Sequence, residues 1–183
     1  MRLFDTVNEL RLDLSVSQGI EGYQSFLKAT DKVPICQTLW IVSCMDHHAF
    51  ASTTMHLLGK WRCMRKSKLY ADPGPPSRIN RCMTLGCPCH LPEIYRPNNT
   101  TFDSLEEIDI DNFTGSGEQE KIIKFLLSRC NAATLKSVEN TMAHKFVSSA
   151  VKRVCKEIHN ICHSNSKVIF NVVGDMGLEP LLF

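Results

Sequence analysis

No run of about 18 consecutive apolar residues occurs in the 183-residue chain, so the sequence predicts no transmembrane helix. The opening residues Met1-Arg2-Leu3-Phe4-Asp5 lack the continuous apolar core of a signal peptide, so none is expected there. Net charge is nearly absent. The 21 Lys and Arg against 19 Asp and Glu leave +2, too little to draw the chain to nucleic acid or a membrane surface. No G-x-S-x-G motif occurs, which removes the serine-hydrolase elbow. No glycine-rich loop follows a strand, and Gly115-Ser116-Gly117 has neither the further glycines nor the Lys-Ser pair of a phosphate loop. With these absences no enzyme activity and no cofactor are expected.

What is present is an ordinary apolar content of 43%, which argues against wholesale disorder, in a length suited to one domain. Nine cysteines form an odd set with no closed disulfide spacing. Free thiols in a reducing compartment, cytoplasm or nucleus, are therefore expected. The sequons at Asn98, Asn99 and Asn112 are then chance matches.

The most ordered pattern lies over 101–130. Leu105, Ile108 and Ile110 follow L-x-x-L-x-L, and the acids between them give the two-residue period of a strand. After the Gly-Ser-Gly turn the period changes. Ile122, Ile123, Phe125, Leu126 and Leu127 gather on one side of a helix over 118–130.

The same spacing recurs at Val7-Leu10-Leu12, at Cys36-Leu39-Ile41, and in degraded form at Met64-Ser67-Leu69 and Leu135-Val138-Asn140. The first residues of successive copies are separated by 29, 28, 41 and 30 positions, the mark of a repeat array with one insertion. Helices are predicted over 20–30, ended by Asp31-Lys32-Val33-Pro34, and over 48–59. Strands are predicted over 7–14, 36–42, 64–70, 105–111, 135–139 and 167–173.

Each unit alone would expose an apolar strand face and an apolar helix stripe, and stacking buries both. The expected fold is α/β: a short leucine-rich-repeat-like solenoid with parallel strands on one face and helices on the other. The alternative is a doubly wound α/β domain, which also alternates strands and helices.

The expected organisation is repeat units over 1–71, a Pro- and Cys-rich insertion loop over 72–99, strand-helix units over 100–173, and a disordered tail over 174–183. Within the third part, a helix over 146–162 carries the seam Val147, Val151, Val154, Ile158 and Ile161. It is expected to cap the last strands, the alternative being a coiled-coil partner helix.

Together these residues resemble the C-terminal region of plant F-box proteins with leucine-rich repeats and an FBD-type segment. The likeness rests on Phe102-Asp-Ser-Leu-Glu-Glu-Ile-Asp-Ile-Asp-Asn-Phe-Thr-Gly, on 123–129, on Leu135-Lys-Ser-Val, and on the seam helix and closing strand. Leu10-Arg-Leu-Asp-Leu and Thr54-Met-His-Leu-Leu fit the repeat part, and Gly86-Cys-Pro-Cys-His-Leu-Pro resembles a loop of the grass members. The resemblance covers about residues 7 to 173. It implies a substrate-binding module of a ubiquitin ligase. The stretch before Val7 is too short for an F-box, so contact with a Skp-type adaptor is not expected.

Cys82, Cys87, Cys89 and His90 form the densest ligand cluster, with residue types that suit zinc. Their C-x4-C-x-C-H spacing differs from paired C-x2-C knuckles, so plain loop thiols are expected and no metal is assigned. A small zinc- or thiol-dependent protein is the alternative function. Cys44, His47, His48 and His56 are too spread for one ion. The basic run over 60–68 could bind nucleic acid with Trp61 stacking, but a solvated edge facing the acids over 106–111 is expected.

Residues between the aliphatics should stand on the open sheet face. Arg11, Trp40, Lys68 and Asp109 should form one row across the strands. Glu9, Thr38, Lys66 and Glu107 should form a second, and Asp13, Val42, Tyr70 and Asp111 a third. A non-catalytic module binding a protein partner through Arg11, Trp40, Lys68, Tyr70 and Asp109 follows, with an ordinary solvated face as the alternative.

Overall fold

The computed structural model describes residues 6–14, 20–44, 50–72, 100–162, 167–174 and 177–181. The described residues form an α/β fold with four α-helices and a seven-stranded, mostly parallel sheet. The strands are β1 (Thr6–Leu14), β2 (Ile35–Cys44), β3 (Lys66–Asp72), β4 (Glu107–Asp111), β5 (Ser137–Ala143), β6 (Lys167–Gly174) and β7 (Gly177–Pro180). Their order in the sheet is their order in the chain. Neighbours from β1 to β6 are parallel, and β7 is antiparallel to β6. Helices α1 (Ile20–Thr30), α2 (Phe50–Lys60), α3 (Gly117–Leu127) and α4 (Ser149–Ile161) supply crossovers that parallel neighbours require.

One sheet face is the core. Leu39, Ile41, Leu69, Ile108, Ile110, Val138, Met142 and Phe170 are buried there with the inner sides of the helices. The first apolar residue of each L-x-x-L-x-L motif lies before its strand or at its start. The N–H groups of Met64, Leu105 and Leu135 donate to the carbonyls of Trp61, Phe102 and Asn131 at 3.2, 3.3 and 3.1 Å. A turn therefore swings these three side chains inward, and all three are buried. This is why β3, β4 and β5 begin two residues later than the motif predicts.

The helices form where local signals agree with packing. Ser116 accepts a hydrogen bond from Gln119 N–H and starts α3, so Gly-Ser-Gly is a helix entry. Gly115 has φ of +67°, and a Cβ there would stand 3.1 Å from Val151 Cγ2 of α4, so only glycine fits. Gln119 is buried but satisfied. Its Oε1 accepts from Thr114 N–H at 2.8 Å and its Nε2 donates to the Asn112 carbonyl at 3.0 Å. These bonds lock the link between β4 and α3.

Two sequence expectations need correction. The seam helix starts at Ser149, capped by the Ser148 hydroxyl, and a short 3-10 turn, His144–Phe146, precedes it. Its core face is Val151, Val154, Cys155 and Ile158, while Ile161 is 43% exposed. The tail is not wholly loose either. Gly177–Pro180 pairs with β6, and Leu181 N–H donates to the Phe170 carbonyl at 2.7 Å. The strand lacked an apolar pattern because all four of its residues are exposed. Most of the predicted insertion, 73–99, lies outside the described residues.

Candidate interaction face

The sheet face opposite the helices carries the three predicted rows. Arg11 pairs in register with Trp40, Trp40 with Lys68, and Lys68 with Asp109. The row continues to Glu139 and Ile169, two positions beyond the four that the motif spacing predicts. The offset of 30 residues from Ile108 to Val138 was the signal that could have added Glu139. Glu9, Thr38, Lys66 and Glu107 form the row below, and Asp13, Val42, Tyr70 and Asp111 the row above. None of these residues is buried, whereas their strand neighbours Leu39, Ile41, Leu69, Ile108 and Ile110 are.

Trp40 is the centre of the first row. Arg11 Cζ lies 4.8 Å from its ring centroid and Lys68 Nζ lies 5.0 Å away. Each contact contributes about 0.5–1 kcal/mol at an exposed site. Strands spaced about 4.8 Å apart bring a cation from each neighbour over one indole. The Trp40 Nε1 is covered and has no hydrogen-bond partner among the described residues. Arg11 also reaches Asp13 at 3.4 Å.

The acids lie on β4 and β5. Lys66 pairs with Glu107 and with Asp109, the latter at 3.1 Å, and the hydrogen bond to Glu107 leads in raising the lysine pKa. Burial raises the Asp111 carboxyl pKa, and Asp109, two residues away on the same face, raises it further against the pull of Lys68. At the lower edge Glu106 bridges Arg65 and Lys136, and its hydrogen bonds to Lys136 and then Arg65 hold its pKa down. The basic run thus faces the acids of β4. Trp61 is not available for stacking, because it is 2% exposed and its Nε1 donates to the Pro34 carbonyl at 2.8 Å.

Beneath the rows, at the starting ends of the parallel strands, lies an open groove of about 500 Å³. Ile35, Cys36, Gln37, Arg65, Glu106 and Thr134 are among its lining residues. Its ionic groups are the Arg65–Glu106 pair and Asp103, and the exposed free thiol of Cys63 also lines it.

The weak metal candidates Cys82, Cys87, Cys89 and His90 lie outside the described residues, as do His47 and His48. Among the described residues no group of three or more His, Cys, Asp or Glu could hold a metal ion. His56 stands on α2, where burial first and the Lys60 charge second lower its pKa. Burial pushes the Cys36 and Cys155 thiols up to about 11 and about 12, so neither is an activated nucleophile. No described helix is long and apolar enough to cross a membrane.

Comparison of the chain with protein-family models, curated proteins and solved structures finds no match.

Proposed function

We propose that this α/β chain with its mostly parallel seven-stranded sheet is a non-catalytic protein-interaction module, built as a short leucine-rich-repeat-like solenoid. The observation that carries the reading is the row Arg11–Trp40–Lys68–Asp109, held in register on the face opposite the core. Aromatic and arginine side chains on a rigid surface are what dominate protein interfaces. Support for the repeat architecture comes from the unreversed strand order and from the buried L-x-x-L-x-L positions of β2 to β5. The register follows the repeat intervals across the insertion: Leu39 pairs with Ser67, Ser67 with Ile108, and Ile108 with Val138.

On this reading the chain is akin to the substrate-binding leucine-rich-repeat and FBD part of a plant F-box protein. Joined to an F-box, such a module would choose the substrate of a ubiquitin ligase, and the F-box would make the adaptor contact. A reducing compartment, cytoplasm or nucleus, goes with this role, since Cys36, Cys63, Cys130, Cys155 and Cys162 are free.

The test compares immobilised parent protein with Trp40→Ala/Lys68→Glu on the open face and Lys156→Glu on the exposed side of α4. A protein that binds the parent and Lys156→Glu but not the open-face variant, and that rebinds as purified material with the same pattern, is the expected result. Binding that survives the open-face change defeats the proposal.

A further inference from the structure

The two edges of the sheet are finished differently. At one edge β7 is four residues long, begins at Gly177, ends at Pro180 and is exposed throughout. Shortness, glycine and proline all weaken an edge strand as a template for another chain. At the other edge β1 runs over nine residues, Thr-Val-Asn-Glu-Leu-Arg-Leu-Asp-Leu, without Gly, Pro or Lys. No strand lies along its outer side among the described residues. A long edge of this kind offers its backbone to a further strand.

The side chains show the same incompleteness. Leu10 stands in register with Leu39, and Leu12 with Ile41 and through it with Leu69. Leu39 and Ile41 are 0% exposed and Leu69 is 3% exposed, whereas Leu10 and Leu12 are only partly buried. Leu14 is partly buried too. The positions are equivalent, and the difference is that β2 and β3 have a strand on each side.

The stretch Leu10-Arg11-Leu12-Asp13-Leu14 selects the strand that fits. Read backwards, it keeps its leucines in place and exchanges the cation for the anion. We infer that β1 pairs with β1 of a second copy of this chain, antiparallel, about a two-fold axis at Leu12. Leu12 then opposes Leu12 of the second copy, Leu10 opposes Leu14, and Arg11 opposes Asp13. Directly opposed residues of an antiparallel pair share a face, so the leucines close the core side and the charges meet on the open side. Each residue contact occurs twice, as two-fold symmetry requires. Arg11 and Asp13 touch within the strand at 3.4 Å, but their side chains are 54% and 70% exposed, so each has room for the opposite charge of the second copy. Neighbouring registers fit less well. Centred on Arg11, the pairing sets Arg11 against Arg11 and Glu9 against Asp13, both repulsive. Centred on Leu10, it sets Val7 against Asp13 and Asn8 against Leu12.

Sedimentation velocity of the full chain over a range of concentrations tests the pairing. The parent is expected to pass from monomer to dimer as concentration rises. Arg11→Asp sets acid against acid across the axis, and Asp13→Arg sets base against base. Each single variant, changed at an exposed position, is expected to keep its thermal melt and to dimerise at least about tenfold more weakly. An equimolar mixture of the two restores opposite charges and is expected to dimerise as the parent does, as is the double variant Arg11→Asp/Asp13→Arg. A dimer that survives both single changes, or single variants that stay monomeric when mixed, overturns the inference. A parent that is monomeric at every soluble concentration overturns it too, and leaves this edge to a strand of another protein.

Discussion

The Glu118 carboxylate accepts a hydrogen bond at 2.9 Å from the backbone N–H of Ala51, 67 residues earlier in the chain. Ala51 lies in the first turn of α2, where N–H groups have no intrahelical partner and where α2 has no acid of its own. One helix thus caps the start of its neighbour, and the negative charge suits the positive end of the α2 dipole. Glu118→Ala should cost about 1 kcal/mol, the usual loss for a cap. Lys121→Ala, which removes only a surface partner of Glu118, should cost much less. Urea denaturation of both variants checks this, and equal losses would contradict the capping role.

Asn140 occupies an aliphatic position of the fifth motif. It is 0% exposed, and neither side-chain polar atom has a partner among the described residues. Ser67, in the third motif, is likewise buried with its hydroxyl unpartnered there. An unsatisfied buried polar group costs about 1–3 kcal/mol. Asn140→Leu and Ser67→Val should therefore raise the urea midpoint. A fall in both would mean that these groups are satisfied in solution.

Leu39 and Trp40 are adjacent and face opposite ways. Leu39 is 0% exposed and Trp40 lies on the open face. Leu39→Asp buries an unpaired carboxylate at a cost of several kcal/mol, against a total of about 5–15 for a domain. Trp40→Ala should stay soluble and folded. Yield and thermal melts of the two variants decide it, and equal loss of soluble protein would refute the facing.

On α4, Ile158 is 0% exposed and Ile161 is 43% exposed. Ile158→Ala should cost about 2–5 kcal/mol and visibly lower Tm. Ile161→Ala should leave the melt nearly unchanged. An unchanged melt for Ile158→Ala with loss of self-association in sedimentation would make the helix a docking element and not a cap.

His56 gives the pH dependence. Its folded pKa lies below 6.5, chiefly because it is partly buried and secondarily because of the Lys60 charge. The unfolded chain then binds the proton more readily. Its contribution is fully present above pH 6.5 and is lost as pH falls below that value towards the folded pKa. His56→Phe, at a position already packed on Phe26 at 6.5 Å, should flatten this limb. Between pH values above 6.5 and about one unit below it, the urea midpoint should fall in the parent and much less in the variant.

The sequence alone determined the four described helices and the first six strands to within a few residues at their ends, and which residues share a row. Both follow from local periods, two in a strand and 3.6 in a helix, and the motif intervals carry the register from one strand to the next. That is why the spacing by itself sets Arg11, Trp40, Lys68 and Asp109 in line. The local code fell silent where long-range partners act. Trp61 sits in a basic run, yet the Pro34 carbonyl holds it in the core. Gly177–Pro180 has no apolar alternation, yet it becomes a strand because β6 offers unpaired backbone groups at its outer edge. The ion pairs of Lys66 with Glu107 and Asp109 belong to the tertiary structure as well, because which neighbour a side chain of one row reaches is settled only once β3 lies beside β4.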